Sequence, residues 1–171
     1  MITATKMQRV NAKMLEKARG KEIKTDKIVR ELLQESNFKD NTYTQYEIIS
    51  EEKAVKAYTD IMTSKHQNFH FEHKGLVLLH DSPFIGGSPD GIAQCECHAP
   101  TLVEIKCPFN VKDKSPREFD HPFLKNPHNK KHPFYAQVQT NMAVTQTEQS
   151  DVVFWSSKGC NILRIPFDPQ Y

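Results

Sequence analysis

Two carboxylates and one amine, close together along this chain, have the types and spacing for metal-assisted chemistry on a phosphate ester. Ser88-Pro89-Asp90-Gly91 supplies the first acid, and Glu104 stands fourteen residues beyond Asp90 within Leu102-Val103-Glu104-Ile105-Lys106. Side chains two apart on an extended strand share a face, so Glu104 and Lys106 project with Leu102, while Val103, Ile105 and Cys107 face the other way. Taking a carboxylate and an ammonium into an apolar sheet costs on the order of several kcal/mol each unless something compensates them. A divalent cation held by Glu104 and Asp90 would do so, leaving Lys106 to orient a water. The bland alternative for E-x-K is an edge strand with two solvated charges.

Elements must bring these groups together. Phe84-Ile85-Gly86-Gly87-Ser88-Pro89-Asp90-Gly91-Ile92 carries two glycines before the aspartate and one after it, so the backbone can bend sharply or approach a bulky group closely. Proline at 89 removes a ladder donor, which places Asp90 at a strand break; the competing reading is an Asp-Gly turn. Thr44-Gln45-Tyr46-Glu47 is a capping-box pattern that predicts a helix start, with Ile48, Val55, Tyr58 and Met62 as its apolar stripe. Glu51 falls within that stripe. Either it lies at the margin and reaches water, or it points into a polar site as a direct or water-bridged metal ligand. A second helix should begin at Pro133 and carry Gln137 on a face with Phe134, Asn141 and Val144. Glutamine on a helix is ordinarily a solvated helix former.

Taken together, Glu51-Glu52-Lys53-Ala54-Val55-Lys56-Ala57-Tyr58, Gly87-Ser88-Pro89-Asp90-Gly91, Val103-Glu104-Ile105-Lys106-Cys107-Pro108 and Tyr135-Ala136-Gln137-Val138-Gln139 resemble a family in order and approximate spacing. It is the D…(D/E)-x-K nuclease superfamily, in the lambda-exonuclease type known as YqaJ-like viral recombinases. The resemblance implies an α/β (α+β) protein with a restriction-endonuclease-like core, a central mixed sheet flanked by helices. It implies a metal-dependent DNA exonuclease acting 5′ to 3′ on linear duplex ends in recombination or repair. An inactive DNA-binding module of the same fold, or an endonuclease of the same superfamily, is the alternative.

By that resemblance Asp90, Glu104, Lys106, Glu51 and Gln137 are the catalytic set, with Glu51 preferred over Glu47 and Glu52. Asp90, Glu104, the Ile105 carbonyl and Glu51 would hold Mg²⁺ or Mn²⁺, and Lys106 would position or help deprotonate a water. Ser88, Lys112, Lys114, Arg117, Lys130, Lys131 and Gln139 are the candidates for DNA contact, Gln139 the weaker because it points elsewhere on its helix. Further expectations are a ring-shaped homo-oligomer, a single-strand annealing protein as partner, and an intracellular location. The first forty residues lack the basic, small-residue opening that the family would have.

Composition sets outer limits. At 171 residues the chain is read as one nuclease domain, with a helical amino-terminal part over 1–40 and the core over 44–165. A net charge of +2 is too mild by itself to announce nucleic-acid binding. Between the E-x-K strand and the glutamine helix, Lys112, Lys114, Arg117, Lys125, Lys130 and Lys131 are punctuated by five prolines, which predicts an irregular segment. It would be either a phosphate-following loop or a mobile insertion. His121, His128 and His132 in it are too loosely spaced to be read as metal ligands. Cys95, Cys97, His98 and Cys107 lack the paired spacing of common zinc sites, so ordinary thiols are the expectation, with a small zinc-binding interaction domain as the rival. Four cysteines without a secretory leader favour a reducing compartment, and no apolar run reaches membrane-spanning length. Helices are expected over 7–19 and 26–36, strands near 76–80, 85–88, 91–95, 102–106, 151–155 and 161–165.

Overall fold

A computed structural model describes Gly20 and residues 42–171; the helices expected over 7–19 and 26–36 lie outside those residues. Helix α1 (Thr42–Thr63) starts two residues ahead of the expected cap, so Thr44 lies inside it. Its buried line is Ser50, Ala54, Tyr58 and Met62, each four residues from the last, as one face of a helix requires. Ile48 and Ile49 are 61% and 65% exposed, so the stripe does not run from Ile48. The small Ser50 and Ala54 let that line lie against the sheet, and the buried Tyr58 hydroxyl finds a partner there, donating to Asp151 at 2.8 Å.

Seven strands follow: β1 (His70–His73), β2 (Val77–Leu79), β3 (Ser82–Gly87), β4 (Gly91–Gln94), β5 (Thr101–Lys106), β6 (Gln149–Ser156) and β7 (Gly159–Pro166). Five of them form one sheet in the order β1-β4-β5-β6-β7, while β2 and β3 pair separately. β5 and β6 run parallel, with Glu104 opposite Val152; the other pairings are antiparallel. A parallel pair needs a crossover, and the glutamine helix α3 (Pro133–Thr145) lies within it.

Every residue of β5 is buried, as expected for a strand covered on both faces. On one side Val103, Ile105 and Cys107 pack with Ala54, Tyr58 and Met62 of α1. On the other, Leu102 packs with Val138 and Met142 of α3 and with Phe123 of the short helix α2 (Pro122–Lys125). The alternation expected from the sequence therefore divides the two cores, and Glu104 and Lys106 are left on the α3 side.

The segment between β5 and α3, residues 107–132, is long but packed. It folds into 3₁₀ turns at Phe109–Val111 and Pro116–Glu118 and then α2. Phe123 and Val111 are buried, and β6–β7 side chains bind its backbone: Ser156 Oγ donates to the Lys114 carbonyl at 2.7 Å and Asn161 Nδ2 to that of Pro116 at 2.8 Å. Of the two readings of this segment, these bonds argue against the mobile insertion. His121 and His132 cap the two helices, their Nδ1 atoms accepting from the amides of Phe123 and Phe134 at 3.2 and 3.1 Å. Among the described residues no helix is long and apolar enough to cross a membrane.

Candidate active site

Asp90 sits in the bend between β3 and β4, and its Oδ2 accepts from the Ile105 amide at 2.6 Å. That bond brings the first acid against the strand bearing the second. Glu104 is fully buried, and three donors converge on it. Gln137 Nε2 reaches Oε2 at 2.9 Å, Lys106 Nζ lies 3.3 Å from the same oxygen, and Asn141 Nδ2 closes on Oε1. Gln137 and Asn141 are one turn apart on α3, so a single helix face grips both carboxylate oxygens.

Gly87 explains how Asn141 fits. A Cβ at residue 87 would stand 2.1 Å from Asn141 Oδ1 and 3.0 Å from Val144 Cγ2. Only glycine lets β3 lie this close to α3, which accounts for one of the paired glycines ahead of Asp90. Gly91 has a similar role toward the Phe71 ring, which a Cβ would meet at 2.2 Å.

Electrostatics at the site follow from burial. Desolvation pushes the Glu104 carboxyl up to about 7 against the pull of Lys106, and the Asp90 charge adds to the rise. Asp90 is raised by burial as well, with Lys106 and the Ile105 amide opposing. Burial works against the charge on Lys106, yet Glu104, Asp90 and Glu47 together carry its pKa above the ordinary value. The ammonium lies 5.1 Å from the Phe134 ring centroid. Glu51 is half-buried; burial and then Asp90 raise it, while His73 and Lys106 oppose. Its carboxyl thus senses the same charges as the other acids.

Other candidates are placed differently. Gln139 is a correction: it is 2% exposed, donates to the Pro166 carbonyl at 2.9 Å and accepts from the Asp168 amide at 2.8 Å. Both ends of its amide serve the fold, which removes it from the DNA-contact set. Ser88 is half-buried between β3 and β4, near Asp90 in sequence. Lys112 lies 4.1 Å from the Phe109 ring centroid and Lys130 pairs with Asp168 at 2.5 Å. Lys114, Arg117 and Lys131 are exposed and hold no ion pair among the described residues. Lys158, in the β6–β7 turn, joins Lys114 in depressing the Glu118 carboxyl after the bonds from Ser115, so the fold adds a cation that local sequence did not single out. Asn141 was also missed as a site residue, although the helical pattern had placed it on the face of Gln137.

A five-stranded mixed sheet with helices on both faces, carrying a buried and a half-buried acid at its centre, defines an α/β protein of the alkaline-exonuclease fold. Residues 1–148 match the YqaJ-like viral recombinase domain, and the chain belongs to that family. The match includes the first forty residues. In structure the chain is similar to an alkaline exonuclease (LHK-Exo) from Laribacter hongkongensis, at 25% identity and a TM-score of 0.57, over 76% of this chain and 61% of that one. The alignment therefore spans less than two thirds of that exonuclease. LHK-Exo in complex with dAMP aligns over 98% of this chain and 77% of that one, at 22% identity and a TM-score of 0.65. No curated protein matches the chain.

Proposed function

We propose that this protein is a Mg²⁺- or Mn²⁺-dependent deoxyribonuclease that digests linear duplex DNA from its ends, 5′ to 3′, during recombination or repair. The observation that carries the reading is the convergence on one buried strand of Asp90, Glu104 and Lys106, with Gln137 fixing the central acid.

The donor set fits a hard divalent cation. It consists of carboxylate oxygens, and two acids with one ammonium leave net negative charge when both ionise. Three hydrogen bonds occupy three of the roughly four acceptor directions of Glu104, leaving room for an ion. Asp90, Glu104 and the Ile105 carbonyl would hold it, with Glu51 binding a second ion or a water on the first. When bound, the cation would polarise the scissile phosphate and acidify a water.

The protein's own groups do the positioning. Gln137 and Asn141 fix both oxygens of Glu104, so the acid does not reorganise when substrate arrives. Lys106, held charged by its carboxylate neighbours, donates hydrogen bonds: it orients the attacking water and offsets charge gathering on the phosphorus oxygens. The water oxygen bonds to phosphorus as the sugar oxygen departs and takes a proton. Ser88 and the cations of the β5–α3 segment are suited to the backbone phosphates. The family resemblance further suggests a ring-shaped oligomer, a single-strand annealing partner, and action inside a cell.

Incubating linear, circular and end-blocked duplex with the protein tests this. Loss of linear DNA alone, in Mg²⁺ and not in EDTA, is expected, with label released first from 5′ ends. Lys106→Ala should lower the rate roughly hundred- to thousandfold while the protein stays folded. A folded Lys106→Ala protein digesting at the wild-type rate would sink the assigned role, and cleaved circles would make the enzyme an endonuclease.

A further inference from the structure

We propose that this protein holds a second, structural metal site, for Zn²⁺, built from His66, Cys95, Cys97 and His98. The two thiols and two imidazoles lie well apart from the acids in ligand chemistry, and one ligand atom from each lies within 4.8 Å of all the others. Cys97 Sγ is 3.3 Å from Cys95 Sγ and 3.2 Å from His66 Nδ1. Cys95 Sγ is 3.7 Å from His66 Nδ1 and 3.8 Å from His98 Nδ1. Zinc bonds of about 2.3 Å to sulfur and about 2.0–2.1 Å to nitrogen give tetrahedral edges of roughly 3.8 Å between sulfurs and roughly 3.6 Å between sulfur and nitrogen. The four groups are thus already near the corners of a zinc tetrahedron.

Other reasons for the cluster do not fit. A disulfide needs its sulfurs about 2.05 Å apart, and both cysteines are free. A mixed sulfur and nitrogen set selects zinc over the hard cations suited to Asp90 and Glu104. The ligand atoms are also too close together to be divided between two bridged irons, as imidazole and thiolate are in a two-iron cluster.

The fold brings the ligands from two turns. Cys95, Cys97 and His98 lie between β4 and β5, and His66 follows α1, its amide bonded to the Met62 carbonyl at 3.0 Å. Asn68 turns the chain with φ 50°, a left-handed conformation that asparagine tolerates. The turns are tied without metal: the Glu96 amide donates to the Gln67 carbonyl at 3.1 Å, and Asn68 Nδ2 to Glu96 Oε1 at 2.7 Å. Most of the tetrahedron is therefore organised before an ion arrives, which lowers the entropy cost of binding. The paired C-x-x-C or H-x-x-x-H spacing sought in the sequence is absent because the fourth ligand comes from 29 residues upstream of Cys95. The consequence is mechanical. Zinc would clip the end of α1, the helix of Glu51, to the β4–β5 hairpin, which begins just after Asp90 and carries Glu104 and Lys106 on β5.

The test uses the full chain purified without added chelator and exchanged into Mg²⁺ buffer. Elemental analysis should find a single zinc per chain. Cobalt added to the stripped protein should give the visible bands of a tetrahedral site and a thiolate-to-metal charge-transfer band. Cys97→Ser and His66→Ala should lose the zinc, whereas Cys160→Ser should keep it, and stripping zinc should lower Tm with Mg²⁺ held constant. The proposal is overturned if stripped wild-type protein takes up neither zinc nor cobalt, if iron is found instead, or if Cys160→Ser loses as much metal as Cys97→Ser. None of these readouts depends on nuclease activity.

Discussion

Glu104 has the most demanding position of any residue in the molecule, because its carboxyl must be ionised to hold a cation while its surroundings favour the proton. With its pKa raised to about 7, the ionised form is lost as pH falls through that value. The half-saturating Mg²⁺ concentration should therefore rise about tenfold between pH 8 and pH 6, since one proton competes with the ion. The Asn141 amide lowers that pKa, so Asn141→Ala should move the rise to higher pH, and Mg²⁺ titrations of both proteins across pH check it. A requirement for Mg²⁺ that is flat with pH would contradict the assignment of Glu104 as a ligand. Without Mg²⁺, the folded protein keeps a proton that the unfolded chain has released between about 4.5 and about 7, so stability in Mg²⁺-free buffer without chelator should fall as pH rises across that window. At this scale the sequence was informative where charge met an apolar run. Asp90, Glu104 and Lys106 declared themselves as anomalies, whereas Asn141 gave no such signal, because an amide is ordinary on a helix until an acid is found opposite it. His66 was hidden for a related reason: a single histidine past a helix has no partner in sequence.

Elements were legible where their periodicity was strong. The alternation of β5, the Pro133 start of α3 and the β6–β7 hairpin all follow from local pattern. Strand β1 did not, because His70-Phe71-Glu72-His73 has only one apolar residue and becomes a strand by pairing with β4. In α1 the pattern misled about rotation: Ile48 suggested the inner face, but the helix packs through Ser50 and Ala54. Gln139 is instructive in the same way, since it points away from Gln137 on α3 and the stretch after β7 folds against it. Its two hydrogen bonds fasten α3 to the stretch after β7. Gln139→Ala should cost about 1–3 kcal/mol, because two hydrogen bonds that fasten α3 to the stretch after β7 are lost at about 0.5–1.5 kcal/mol each, and lower Tm. DNA affinity measured in Ca²⁺ or EDTA at fixed salt should stay within experimental error of the wild type. A variant that kept its Tm but bound DNA several-fold more weakly would return Gln139 to the contact set.

At the scale of the whole molecule, a net charge of +2 says little because the acids of the site offset surface cations. What matters is where the cations lie. The β5–α3 segment is held against the β6–β7 hairpin by Ser156 and Asn161, and this places Lys114 and Lys158 close enough to act on the same Glu118. An anchored basic surface of this kind has its ordering entropy removed by the fold, not by the DNA, so its phosphate contacts should appear in full in the salt dependence. Lys114, Arg117 and Lys131, which hold no ion pair among the described residues, are the ones to remove; Lys125 and Lys130 already pair with Asp120 and Asp168. Replacing all three with glutamine should leave Tm unchanged and reduce the slope of log K against log salt by roughly 2.7, about 0.9 for each phosphate no longer neutralised. Replacing Lys125 alone should change it by much less. If the triple variant keeps the wild-type slope, duplex DNA does not lie along this segment, and the cations that steer it toward Glu104 must be sought elsewhere on the surface.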